Sequence, residues 1–102
     1  MSSNRRISQR HDVTVPAQLA VNGENHDAVI ENLSLGGAQV AFPERLPMGL
    51  RVHLAFQIPG KEQTIEVGAT VRWTSNDAVG LQFEGLRARE VWALNKYFET
   101  LG

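Results

Sequence analysis

The stretch Ile65-Glu66-Val67-Gly68-Ala69-Thr70-Val71-Arg72-Trp73-Thr74 decides the fold class. Apolar residues occupy alternate positions from Ile65 through Val67, Ala69 and Val71 to Trp73, while Glu66, Thr70, Arg72 and Thr74 stand between them. Successive side chains of an extended chain point to opposite sides, so a period of two marks a strand with one buried face. Upstream, Pro59-Gly60 supplies a turn, and Leu50, Val52, Leu54 and Phe56 alternate against Arg51, His53 and Gln57. Downstream, Ser75-Asn76-Asp77 turns the chain into Val79, Leu81 and Phe83.

The N-terminal half has the same character. Val13, Val15, Ala17, Leu19 and Val21 alternate, and Pro16, which lacks a ladder donor, predicts an edge position or a bulge there. Asn22-Gly23 is a hairpin dipeptide leading to a second strand across Ala28, Val29, Ile30 and Leu33. A break at Ser34-Leu35-Gly36-Gly37 precedes a short third strand near Ala38 to Phe42, and two prolines and a glycine keep residues 43–49 irregular. From about Arg87 the period changes: Val91, Leu94, Phe98 and Leu101 recur at helical spacing. The expectation is an all-β fold, a six-stranded antiparallel β-barrel with a C-terminal α-helix at about residues 87–101. Periodicity alone does not separate a closed barrel from a sandwich.

A chain of 102 residues buries one modest core, so residues 11–102 are expected to form a single domain behind an N-terminal arm, residues 1–10. The absence of cysteine excludes disulfides and thiolate metal sites. No apolar stretch follows Met1, so neither a leader nor membrane insertion is expected, and the cytoplasm is the default compartment. Net charge is −1, which gives no overall field for nucleic acid, yet Arg5, Arg6 and Arg10 all precede the first acidic residue, Asp12. Alone, this cluster reads as a solvated basic tail.

Catalysis finds little support. His11, His26 and His53 are not at metal-ligand spacing, and Ser34 has no sequence partner that marks a nucleophile, so no catalytic residue, metal or cofactor is expected. Two other features stand apart. Arg6 and Arg10 are four residues apart in a segment without apolar period, and a turn there would converge both on one ligand. Asn32-Leu33-Ser34-Leu35-Gly36-Gly37 ends a strand with small polar groups and two glycines, which lets a ligand approach the backbone or forms a turn with an Asx-type hydrogen bond.

Together these features resemble the signature of the PilZ family: an RxxxR pair in an N-terminal arm, matched by Arg6 and Arg10, and a [D/N]xSxxG loop, matched by Asn32, Ser34 and Gly37. The Val71-Arg72-Trp73 and Val79-Gly80-Leu81-Gln82-Phe83 strands and the final helix follow in the family's order, so the resemblance covers nearly the whole chain. It implies a barrel that binds cyclic di-GMP, with Arg5, Arg6, Arg10, Asn32, Ser34, Gly36 and Gly37 as ligand-binding residues. Arginine suits a doubly anionic guanine dinucleotide because its planar fork pairs with guanine O6 and N7, clamps phosphate or stacks on a purine. Asn32 stands where many relatives have aspartate and lacks that negative charge. Arg5, just ahead of RxxxR, implies two stacked ligand molecules per chain. Trp73 falls by alternation on the inner face, a packing role, although at its strand end it stands near the barrel rim, within reach of a guanine. Trp92 reads as a packing residue or a partner contact.

The resemblance further implies an adaptor: the ligand folds the arm onto the barrel, and the changed surface acts on a separate effector protein. The alternative is a PilZ-fold interaction module that binds no nucleotide, although such domains usually lack the motif arginines. A barrel for single-stranded nucleic acid would want a basic groove with exposed aromatics, against which the near-neutral charge and the inward register of Phe56, Trp73 and Phe83 count.

Overall fold

The computed structural model describes residues 9–101. Strands β1 (His11–Val21), β2 (Glu24–Leu33), β3 (Gly37–Ala41), β4 (Arg51–Gln57), β5 (Thr64–Thr74) and β6 (Ala78–Phe83) precede helix α1 (Ala88–Glu99). The strands close into a barrel in the order β1-β2-β3-β6-β5-β4, every neighbouring pair antiparallel. Two three-strand meanders are thus joined along two seams, β3–β6 and β1–β4. Asn22 and Gly23, with φ of 52° and 84°, form the tight β1–β2 turn whose twist matches its flanking strands. The crossing between the meanders, residues 42–50, is tied down at several points. Leu46 is buried and its N–H donates to Thr74 Oγ1 at 3.1 Å, while Arg45 Nε donates to Asn76 Oδ1 at 3.0 Å.

The alternation delivers the core. Leu19, Ile30, Leu54 and Ile65 are wholly buried, with Val40 and Val79 from the β3–β6 seam beside them. Each such side chain contributes about 1.5–3 kcal/mol by leaving water. Pro16 does not sit at a bulge but lies where β1 has no β4 partner, a local edge as expected. The β1 irregularity falls earlier, between Asp12 and Val15, and the β1–β4 ladder begins only at Ala17, so Pro16 sits just outside it.

Helix α1 is rotated relative to the predicted stripe. Ala93, Leu94 and Tyr97 are buried, Val91 and Phe98 half-buried, and Leu101 lies beyond the helix at 41 % exposure. Of the expected stripe only Leu94 is fully buried, and Ala93 and Tyr97 join it on the packed face. Burial also pushes the Tyr97 phenol above its ordinary pKa. Glu90 is buried at the first turn, where its Oε1 accepts the Arg87 N–H at 2.9 Å and faces the positive end of the helix. At the other end His11 stacks on Phe98, ring centroids 4.1 Å apart, and so ties the start of β1 to α1.

Candidate functional site

Irregularities in the ladders shape the site. Arg72 is an extra residue between the Val71↔Leu81 and Trp73↔Gly80 pairs, and Glu31 is an extra residue between Ile30↔Val40 and Asn32↔Gln39. A bulge re-aims every side chain beyond it. Trp73, predicted inward, is therefore turned out of the barrel and is 38 % exposed. Its indole lies against Gly80, where an added Cβ would run into the ring at Nε1, Cδ1 and Cε2. Gly80 is the seat of the tryptophan.

The Ser34 turn forms an adjacent wall. Ser34 N–H donates to the Gly37 carbonyl at 2.9 Å, and Ser34 Oγ accepts the N–H groups of Gly36 and Gly37, both at 3.1 Å, while donating back to the Gly37 carbonyl at 3.3 Å. A hydroxyl has one donor and two acceptor positions, so this one is fully engaged within its own loop. Ser75 builds the same turn between β5 and β6, accepting from Asp77 and Ala78 and donating to the Ala78 carbonyl. Gly37 meets a different requirement. Its φ lies outside the left-handed region, but a Cβ there would strike the Leu81 carbonyl of β6, so the residue must be small for the strands to meet.

Arg10, Ser34, Gly36, Gly37 and Trp73 line one cleft of about 320 Å³, together with Ala38, Gln39, Arg72, Gly80, Leu81 and Gln82. That volume is at the small end of the range for small-molecule sites. Its lining carries two guanidinium groups, one exposed indole and two side-chain amides, with no carboxylate among the described residues. Asn32 is not in that lining. It pairs across the ladder with Asp12, to whose Oδ1 its Nδ2 donates at 2.9 Å. Arg5 and Arg6 lie outside the described residues. Gln39, Arg72, Gly80 and Gln82 were not singled out from sequence. Arg72 had a signal, its outward place on β5, whereas the others reach the cleft only through the β3–β6 pairing. No group of His, Asp or Glu suited to a metal ion occurs among the described residues. A larger cleft, about 670 Å³ beside α1, contains none of the motif residues.

The profile of the PilZ domain matches residues 4–99, an interval that includes all three arginines of the arm and the Ser34 turn. The chain belongs to the PilZ family. Solved structures similar to this PilZ domain include the inhibitor of motility MotI/DgrA of Bacillus subtilis, with a TM-score of 0.76 at 24% identity over 91% of this chain and 49% of that one. The PlzA protein of Borreliella burgdorferi, solved in complex with c-di-GMP, gives 0.72 at 20% identity over 94% and 42%. The PilZ domain of CeSA from a cellulose-synthesizing bacterium gives 0.69 at 20% identity over 91% and 98%. The present chain spans about half the length of the first two, and at these identities the likeness is one of fold. No curated protein matches it by sequence. No helix among the described residues is long and apolar enough to cross a membrane.

The paired serine turns of this PilZ domain allow a test of whether Ser34 does more than hold its own loop. Ser34→Ala and Ser75→Ala each remove the acceptor of two backbone N–H groups, at an expected cost of about 1–3 kcal/mol each in chemical unfolding. Only Ser34→Ala is expected to weaken ligand binding as well, because only its turn borders the cleft. Equal affinities for the two variants would remove the Ser34 turn from the site.

Proposed function

We propose that this PilZ domain is a receptor for cyclic di-GMP, held in the cleft between the Ser34 turn and Trp73, and that it acts on a separate effector protein rather than as an enzyme. The observation that carries this reading is the meeting of Arg10, the Ser34–Gly37 turn and an outward Trp73 in one cleft without a carboxylate in its lining. The c-di-GMP complex of PlzA, a structure of the same fold, supports it.

In this reading Arg10 and Arg6 take the guanine Hoogsteen edge and the phosphates, and the Trp73 indole stacks on a base, an interaction worth about 1–3 kcal/mol. Gln39 and Gln82 present amides that both donate and accept, as a guanine edge requires. Ser34 shapes the turn, and Gly36 and Gly37 keep the wall low. Asn32, outside the lining of the cleft and donating to Asp12, takes no direct part in this reading. Arg5 with Arg6 would cover a second, stacked dinucleotide. Ligand charge neutralises the arginines and draws the arm, residues 1–10, against the cleft, which alters the surface offered to the effector.

Calorimetric titration with cyclic di-GMP, with cyclic di-AMP and GTP as controls, tests the reading. Saturable heat with cyclic di-GMP alone, at two ligands per chain, is the expected result; no heat, or equal heat with cyclic di-AMP, overturns it and leaves a PilZ-fold interaction module. Gly80→Ala takes the seat of the indole, its nearest collision being with a part-exposed side chain rather than with backbone. It is expected to lower affinity about tenfold and shift Trp73 fluorescence, with little change in stability.

A further inference from the structure

Both tryptophans of the chain are exposed, and only Trp73 belongs to the nucleotide cleft. Trp92 is 62 % exposed, on the side of α1 away from Ala93, Leu94 and Tyr97. Arg89, Trp92 and Lys96 follow at helical spacing, and Lys96 Nζ lies 5.6 Å from the indole centroid. Arg87, Arg89 and Trp92 form one side of the cleft of about 670 Å³, twice the volume of the first, with His53 and Glu66 among the residues facing them. The two clefts share no residue.

The charge on this face is uneven. Arg87, Arg89 and Lys96 are exposed cations; Glu66 and Glu99 are the exposed acids, Glu99 lying 3.9 Å from Lys96. Glu90 also borders the cleft but is largely buried, its Oε1 accepting the Arg87 N–H, so among exposed groups on this face the cations outnumber the acids. A large indole with arginines around it is the composition of an interaction hot spot, and cations at its rim select carboxylates opposite.

We propose that the outer face of α1 docks an acidic segment of a partner protein, with Trp92 as its anchor and Arg87, Arg89 and Lys96 pairing with carboxylates that flank an apolar residue. The face also has a route to the nucleotide cleft. His11, next in the chain to Arg10, stacks on Phe98 in the last turn of the same helix. This coupling, unlike the docking itself, rests on the cyclic di-GMP reading.

The test places the photo-crosslinker p-benzoylphenylalanine at position 92 of the full chain in cells that naturally express it, and identifies the joined peptide by mass spectrometry. The expected adduct is a single segment of another protein in which Asp or Glu flanks an apolar residue, lost when Arg89→Glu and Lys96→Glu are combined. A synthetic peptide of that segment is then expected to bind purified wild-type chain at least tenfold more tightly than the charge-reversed variant, and more weakly as salt rises. Trp92→Ala, at an exposed position, is expected to keep the melting temperature and the cyclic di-GMP affinity while losing the peptide. No adduct, adducts with a second copy of this chain, a segment without carboxylates, or binding indifferent to charge reversal would each overturn the docking. Peptide affinity equal with and without cyclic di-GMP, in a chain that binds the nucleotide, overturns the coupling and leaves the docking standing. A chain that docks the peptide and gives no heat with the nucleotide instead sinks the receptor reading.

Discussion

Replacing Arg6 and Arg10 together with alanine is expected to abolish measurable cyclic di-GMP binding while the domain melts at its wild-type temperature. A bidentate arginine contact to guanine contributes about 1–3 kcal/mol, so each loss weakens binding roughly tenfold or more and the pair at least a hundredfold. Arg10 is exposed, so its removal takes little packing from the barrel. Arg10→Lys is expected to recover only part of the affinity, because an ammonium keeps the charge but not the planar fork. Calorimetry together with a thermal melt checks both halves. Full affinity in the double variant would mean that the cleft holds its ligand without the arm.

Gly37→Ala is expected to damage stability and binding at once. The new methyl group would meet the Leu81 carbonyl, a backbone group held in the β3–β6 ladder, where Gly37 pairs with Gln82 and the Phe83 N–H donates to the Gly36 carbonyl at 2.8 Å. Neither strand yields without loosening the seam. Overpacking of this kind costs about 1–3 kcal/mol, and each kcal/mol lowers the melting temperature of a domain this size by roughly 4–8 °C. Since the same seam carries Gln39, Gly80 and Gln82 into the cleft, affinity is expected to fall in parallel. The contrast with Gly80→Ala is informative, because there the obstructing group is an exposed indole. A Gly37→Ala protein with an unchanged melt would show that the two strands have more room than the geometry allows.

Strand β5 illustrates both the reach of the sequence and its limit. Its alternation holds from Ile65 to Val71, since a half-buried strand writes its two faces directly into the order of residues. It fails at Trp73 because a bulge is a property of two strands, and nothing between Val71 and Trp73 announces that Arg72 has no counterpart on β6. The nearest signal was Gly80, a glycine inside a strand, where another group approaches closely. The hairpins were legible from Asn22-Gly23 and Pro59-Gly60, whereas the β3–β6 and β1–β4 seams join distant segments and have no local mark. The candidate site divides in the same way. Arg10 and residues 34–37 carry a motif that can be read along the chain, while Gln39 and Gln82 become neighbours of that motif only when the two meanders meet.

The late start of the β1–β4 ladder has a further consequence. Among the described residues, 11–16 of β1 have no β4 partner, and an open strand margin of this kind is where a strand from a neighbouring molecule could add on and seed aggregates. Pro16 withdraws a donor at the mouth of this gap, and Phe98 of α1 covers His11 near its other end. Proline and helix thus narrow the open margin from both ends, on the same strand that leads in from Arg10.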